Sequence, residues 1–225
     1  MLYIGSCRYM YGYNWDYFPA RLHSTKEVIY FLENITNIKE IISKNKLDLL
    51  NCIFGDMNHN RVTNDFSNFI DMKIDKNTEK VIIEISTRKV TYYNNVPLNY
   101  YYSNKLSFRI LETKILTDDE IENDIIYIVK LCKLIFNENT QVHIIPHLNL
   151  KTKIGDYIHE RNNLVSLLEY LSIKHNIKFH NIGKYIETID NDACIESYMV
   201  DSTHYSKGGT IVKQFLVDRI IKGIM

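Results

Sequence analysis

Asp201 and His204 stand three residues apart, just ahead of a C-terminal apolar run. Held in one turn, the carboxylate accepts an imidazole N–H, fixes its tautomer and leaves the other ring nitrogen as a base. Such a base needs a nucleophile. At the other end of the chain the apolar run Leu2-Tyr3-Ile4 stops at Gly5, and Ser6-Cys7-Arg8 follow. A thiol at Cys7, with His204 as base and Asp201 as orienting acid, completes a set for attack on an acyl carbon. The Ser6 hydroxyl is the alternative nucleophile; its other role is to shape the turn. Arg8 beside the thiol would lower its pKa or bind an acidic group.

Three more places carry polar groups just beyond apolar runs: Gly55-Asp56, Ser86-Thr87-Arg88 and Pro146-His147. Arg21 and His23 follow the first aromatic loop, where a substrate anion would bind. With Arg8, Arg88 and His147 they form the substrate-binding candidates. His143 and His147 read H-x-x-x-H, a zinc pattern on a helix. On a strand four residues span about 13 Å, too far for one ion. His143 therefore reads as a packed strand residue, and no metal is expected. Glu84 lies inside an apolar run and needs a partner there; Arg88, Arg21 and Arg161 are the candidates.

The elements that must position these groups alternate. Residues 2–4 read as a buried strand ending in a tight turn at Gly5. Residues 7–23 are aromatic and irregular. Ser24, with Glu27 three residues on, opens a helix to about Lys44, with Val28, Phe31, Leu32, Ile35, Ile38 and Ile42 on one face. Strands follow at 47–54 and 81–86. Residues 87–117 read as an extended excursion or hairpin around Asn94-Asn95. Asp118 caps a helix to about Phe136. Residues 141–145 form a strand stopped by Pro146, and a helix runs from about Arg161 to His175. A short strand takes 177–180, and 183–205 is loop with one helical turn at most. The last helix runs from Ser206 to Ile221. Five strands alternating with helices imply an α/β fold: a parallel five-stranded sheet with helices on both faces, in one domain over 1–225. Ligands in such sheets bind outside the carboxyl ends of the strands, where all these polar groups fall.

A first strand ending in Gly-Ser-Cys, with Asp-x-x-His just before the final helix, resembles the SGNH/GDSL hydrolase superfamily. The first block is similar to those of the GSCFA-like group and of the capsule polysaccharide acetyltransferase-like group. The resemblance implies a three-layer flavodoxin-like fold and acyl chemistry on carbohydrate: acetyl transfer, or ester hydrolysis and deacetylation. It implies Cys7 as nucleophile and Gly55 as one oxyanion-hole donor. The family's third block supplies an Asn after the third strand. Here that place holds Ser86, whose hydroxyl would donate instead; Asn58 and Asn60 are neighbours in the loop. No cofactor is required, and an acyl-CoA is the implied acyl donor.

Composition sets the remaining bounds. Lys+Arg and Asp+Glu are both 27, so the net charge is zero, which disfavours a general grip on nucleic acid or anionic membrane. A chain of 225 residues, 45% hydrophobic, buries roughly 70% of its unfolded surface and needs no disulfide or metal. The four cysteines, Cys7, Cys52, Cys132 and Cys194, are widely separated. No run reaches 18 apolar residues, and six residues before Cys7 leave no room for a signal peptide. A cytoplasmic protein with reduced thiols is expected. The 33 Ile and 23 Asn against two Ala point to an AT-rich genome, such as that of a parasite or large virus. The expected partner is a small molecule or glycan, with the oligomeric state open. The competing function is non-catalytic carbohydrate binding or scaffolding on a degenerate fold of the same kind. Tyrosine-rich stretches at 9–17 and 92–102 would supply an aromatic wall in either case.

Overall fold

A computed structural model of the chain describes residues 1–5, 17–37, 40–41, 74–98, 111–201 and 205–224. Its main sheet is parallel, in the order β2-β1-β3-β7-β8: β1 is Leu2–Gly5, β2 Tyr17–Arg21, β3 Lys80–Ile85, β7 Gln141–Pro146 and β8 Lys178–Phe179. Four of the expected strands pair here, Leu2 with Val81, Val81 with Val142 and His143 with Lys178. The expected strand at 47–54 lies outside the described residues. Beside β1 runs β2 instead, from a stretch read as irregular. It contains Pro19, which has no N–H to donate, and it occupies the edge among the described strands, where proline is tolerated. Its register slips between Tyr3↔Tyr17 and Gly5↔Arg21.

Strand side chains alternate between two cores. Leu2, Ile4, Val81, Ile83, Ile85, Val142 and Ile144 pack against helices α1 (Thr25–Asn34), α2 (Asp118–Ile135) and α3 (His159–Lys174). Tyr3, Ile82 and Ile145 pack on the opposite face against α4 (Ile182–Ile189) and α6 (Lys207–Lys222). A one-turn helix α5, Ile195–Tyr198, precedes α6.

The helix limits follow local chemistry. Ser24 caps α1, its side chain accepting the Glu27 N–H. The first stretch of helix stops at Asn34; Glu40 and Ile41 are helical again, and the rest of the expected run to residue 44 lies outside the described residues. The Asn34 amide donates to the Tyr30 carbonyl at 2.7 Å, competing with the backbone ladder, and Ile35–Asn37 tightens into a 3-10 turn. The cap of α2 is Thr117, not Asp118. Thr117 and Glu120 satisfy each other's backbone N–H in a reciprocal capping box, and Asp118 sits in the first turn. The region read as loop at 183–205 contains α4. Gly183 is no breaker there: a Cβ on it would lie 2.1 Å from the Asn149 carbonyl oxygen, so the glycine permits close approach. The excursion at 87–117 carries a small antiparallel sheet, β5-β4-β6, from Lys89–Tyr93 (β4), Val96–Leu98 (β5) and Glu112–Ile115 (β6). Asn94 and Asn95 turn the hairpin with φ of 49° and 63°, as a two-residue type I′ turn requires.

Candidate functional site

The carboxyl ends of β1, β3 and β7 lie side by side. Leu22 N–H donates to the Gly5 carbonyl at 3.0 Å, so the chain leaving β2 returns to the end of β1. One residue on, the His23 carbonyl accepts from the N–H groups of Ser86 (2.9 Å) and Thr87 (3.2 Å), at the end of β3. The His23 ring reaches the same residue, with Nδ1 3.1 Å from the Ser86 hydroxyl. The His23 N–H donates to Glu27 Oε2 at 3.1 Å, and the Ser24 hydroxyl to Glu27 Oε1 at 2.8 Å. The Glu27 carboxyl is buried, and burial pushes its pKa up to about 8; the hydrogen bonds from Ser24 and His23 pull it down only in part. The start of α1 is tied in turn to α2, since Thr25 Oγ1 and Lys26 Nζ each lie 2.6 Å from the buried Asp124 carboxylate.

Beneath this edge, on the α6 face, runs a buried polar chain. The Tyr3 hydroxyl donates to Glu84 Oε2 at 2.9 Å, and Lys213 Nζ donates to the same oxygen at 2.6 Å. The Lys213 ammonium lies 5.7 Å from the centre of the Tyr3 ring and 5.0 Å from that of Tyr205. The Tyr205 hydroxyl accepts the Leu148 N–H at 3.2 Å, just past β7. Met199 and Tyr205 pair as an isolated bridge, so the segment carrying Asp201 is pinned where it starts and where it ends.

The predicted residues distribute as follows. Ser6, Cys7, Arg8, Gly55 and His204 lie outside the described residues, as do Asn58, Asn60 and the side chain of Arg21. Asp201 is exposed in the pinned segment. Ser86 and His23, expected as an oxyanion donor and a substrate contact, are bonded to each other. Arg88 pairs with Asp118 at the start of α2. His147 is buried, its ring tilted against Tyr205 at 5.6 Å and its N–H donating to the Ile85 carbonyl at 3.3 Å. Glu84 takes Lys213; of the arginines proposed for it, Arg161 donates to the Leu148 carbonyl, and the side chain of Arg21 lies outside the described residues. Lys213 is 129 residues distant in sequence, and nothing local announces it.

A second pair was missed. His143 Nδ1 lies 2.9 Å from His180 Nε2 with the ring planes near-parallel. Burial, aided by His180 and then by Lys80 and Lys178, holds His143 down to about 4; burial and Lys178 do the same to His180. The chain matches no protein-family model, no curated protein and no solved structure. Among the described residues, no group of three or more His, Cys, Asp or Glu could hold a metal, and no helix is long and apolar enough to cross a membrane.

Proposed function

We propose that the protein transfers or removes an acyl group on a carbohydrate, with Cys7 as nucleophile, His204 as base and Asp201 orienting the base, on a five-stranded flavodoxin-like sheet of SGNH type. The observation that carries this reading is the position of Lys213. Its ammonium bridges the Tyr3 ring, two residues before Gly5, and the Tyr205 ring, one residue after His204. Tyr3 of the first strand and Tyr205 thus meet across Lys213 in one core cluster, although about 200 residues separate them in sequence. Ser86 directly follows the neighbouring strand β3, and this reading takes it as an oxyanion donor, with Gly55 as its companion.

The chemistry balances without a metal. His204 takes the Cys7 proton, the sulfur bonds the acyl carbon, and the carbonyl oxygen becomes an oxyanion. Collapse expels the leaving group, a CoA thiol or an alcohol, which takes the proton from His204. A sugar hydroxyl or water then gives its proton to His204 and attacks the thioester, releasing Cys7. A Ser6 ester would follow the same steps. The neutral chain suits a small or glycan substrate. A cytoplasmic location accords with this reading.

The test is labelling with a thiol-reactive acyl probe, followed by acetyl-CoA turnover with candidate sugars. Selective modification of Cys7 that is lost in His204→Ala supports the reading. Cys132 is an internal control, since burial pushes its thiol up to about 12 and only the thiolate reacts. Equally slow modification of the accessible cysteines, with no turnover, favours a carbohydrate-binding scaffold instead. The Arg88–Asp118 pair favours that second reading, because it ties up a cation expected to meet substrate.

A further inference from the structure

Ser86 is held from one side by a single residue. His23 Nδ1 is 3.1 Å from its hydroxyl oxygen, and the His23 carbonyl is 3.4 Å away from the same atom. That carbonyl already accepts two shorter bonds from the N–H groups of Ser86 and Thr87. A third, longer bond to it is weak. A hydroxyl has one hydrogen to give and two lone pairs to receive with. If Nδ1 carries a proton, it fills one lone pair and the hydroxyl hydrogen is left held only by the weak 3.4 Å contact. It can then turn outward, polarised by the donor behind it.

We infer that His23 is a positioning residue that donates from Nδ1–H to the Ser86 oxygen and so presets the Ser86 hydroxyl as a hydrogen-bond donor to an oxyanion. This deepens the acyl-transfer reading above and rests on it. The relay replaces, in two residues, the side-chain amide that the third block of the resembled family supplies. The backbone of His23 is fixed on both sides of the ring. Its N–H donates to Glu27 and its carbonyl accepts from the exit of β3, so the imidazole projects from a rigid base. The opposite polarity, Ser86 donating to Nδ1, would make Ser86 a nucleophile and leave no hydrogen for an oxyanion.

Two measurements on the full chain decide it. The first is the 15N imidazole spectrum of His23, which needs no turnover. Nδ1 is expected to be protonated in the neutral ring and to lose that preference in Ser86→Ala; an unprotonated Nδ1 overturns the inference. The second is the rate of Cys7 acylation by p-nitrophenyl acetate. Ser86→Ala and His23→Ala are each expected to lower kcat about 100-fold, the usual cost of one oxyanion donor, with KM little changed. His23→Asn, whose amide nitrogen can stand where Nδ1 stands, should recover most of the rate. The double variant should be no slower than Ser86→Ala alone. Additive losses, no rescue by Asn, or fluorophosphonate labelling of Ser86 would each overturn the relay. Undiminished turnover in Cys7→Ala would instead overturn the parent reading, while the 15N result stands apart from it.

Discussion

Lys213 Nζ lies 2.6 Å from Glu84 Oε2, with the two side chains 1% and 0% exposed. Neither charge belongs in an apolar core alone. Removing one partner leaves the other buried and uncompensated, which costs about 3–5 kcal/mol. Removing both exchanges an ion pair for apolar packing and can be near neutral. Lys213→Met and Glu84→Gln should therefore each lower the urea midpoint sharply, while the double variant should recover most of the loss. Strictly additive losses would refute the pairing as the dominant interaction of either group. Because Lys213 also touches the Tyr205 ring, Lys213→Met should loosen the Asp201 segment, seen as faster amide exchange at Tyr205.

Gly5 explains a different constraint. Its φ is not in the left-handed region, since the positive-φ glycines are Gly155 and Gly223. A Cβ on it would instead lie 2.3–2.6 Å from the Tyr3 ring and hydroxyl. The ring leans along β1 over Gly5 to reach Glu84, so the glycine is the space the tyrosine occupies. Gly5→Ala should cost about 1–3 kcal/mol through overpacking, measured by denaturant unfolding. In a Tyr3→Ala background the same change should cost little. An equal cost in both backgrounds would mean that the backbone, not the ring, demands glycine.

These two cases mark what was legible in the sequence. The strands near residues 2, 81 and 141 announce themselves because parallel strands buried on both faces are continuous apolar runs. The 178–179 strand and the helix from Lys207 to Lys222 follow from the alternation and from Ser206 as cap, whose side chain accepts the Gly209 N–H. The need of Glu84 for a partner was legible too, from its place in such a run. The partner was not: Lys213 sits on an amphipathic helix where lysine ordinarily faces water, and only the tertiary fold turns it inward. Gly5 read as a turn, whereas it serves close approach, as Gly183 does, and close approach depends on a neighbour remote in sequence or on its rotamer. The proline in Tyr17–Arg21 hid a strand because its tolerance depends on being at an edge. At the candidate site the residue types at the sheet edge were readable, but the Ser86–His23 bond was not, since it depends on how the chain returns after β2.

Glu27 gives a pH dependence with a definite sign. The unfolded carboxyl loses its proton near 4.5, while burial delays that loss to about 8 in the fold. Between these values the folded state binds a proton the unfolded state has released. The contribution is fully present below pH 4.5 and is lost as pH rises through 8. Glu27→Gln keeps an acceptor for the His23 N–H and removes the titration. It should exceed the parent in stability at about pH 8 by on the order of 4 kcal/mol, and match it near pH 4.5. Parallel stability curves for the two proteins would show that Glu27 is ionised in the fold throughout.

The His143–His180 pair acts in the opposite direction. Both rings are held down to about 4, against 6.5 in the unfolded chain. Burial favours the neutral forms, and one bond between Nδ1 and Nε2 joins the rings. Their contribution is complete above pH 6.5 and is lost as pH falls through about 4. Lys80 and Lys178 strengthen the effect by opposing a charge on His143, and Lys178 does so on His180. Because the Glu27 slope opposes this one between pH 4.5 and 6.5, the cleaner measurement uses the Glu27→Gln background. There, stability should fall on acidification by on the order of 3 kcal/mol for each ring between about pH 6.5 and 4. Replacing both histidines with Phe should flatten that limb, whatever it does to stability at neutral pH. A limb of unchanged steepness in the double variant would assign acid sensitivity to other groups and remove the pair as its cause.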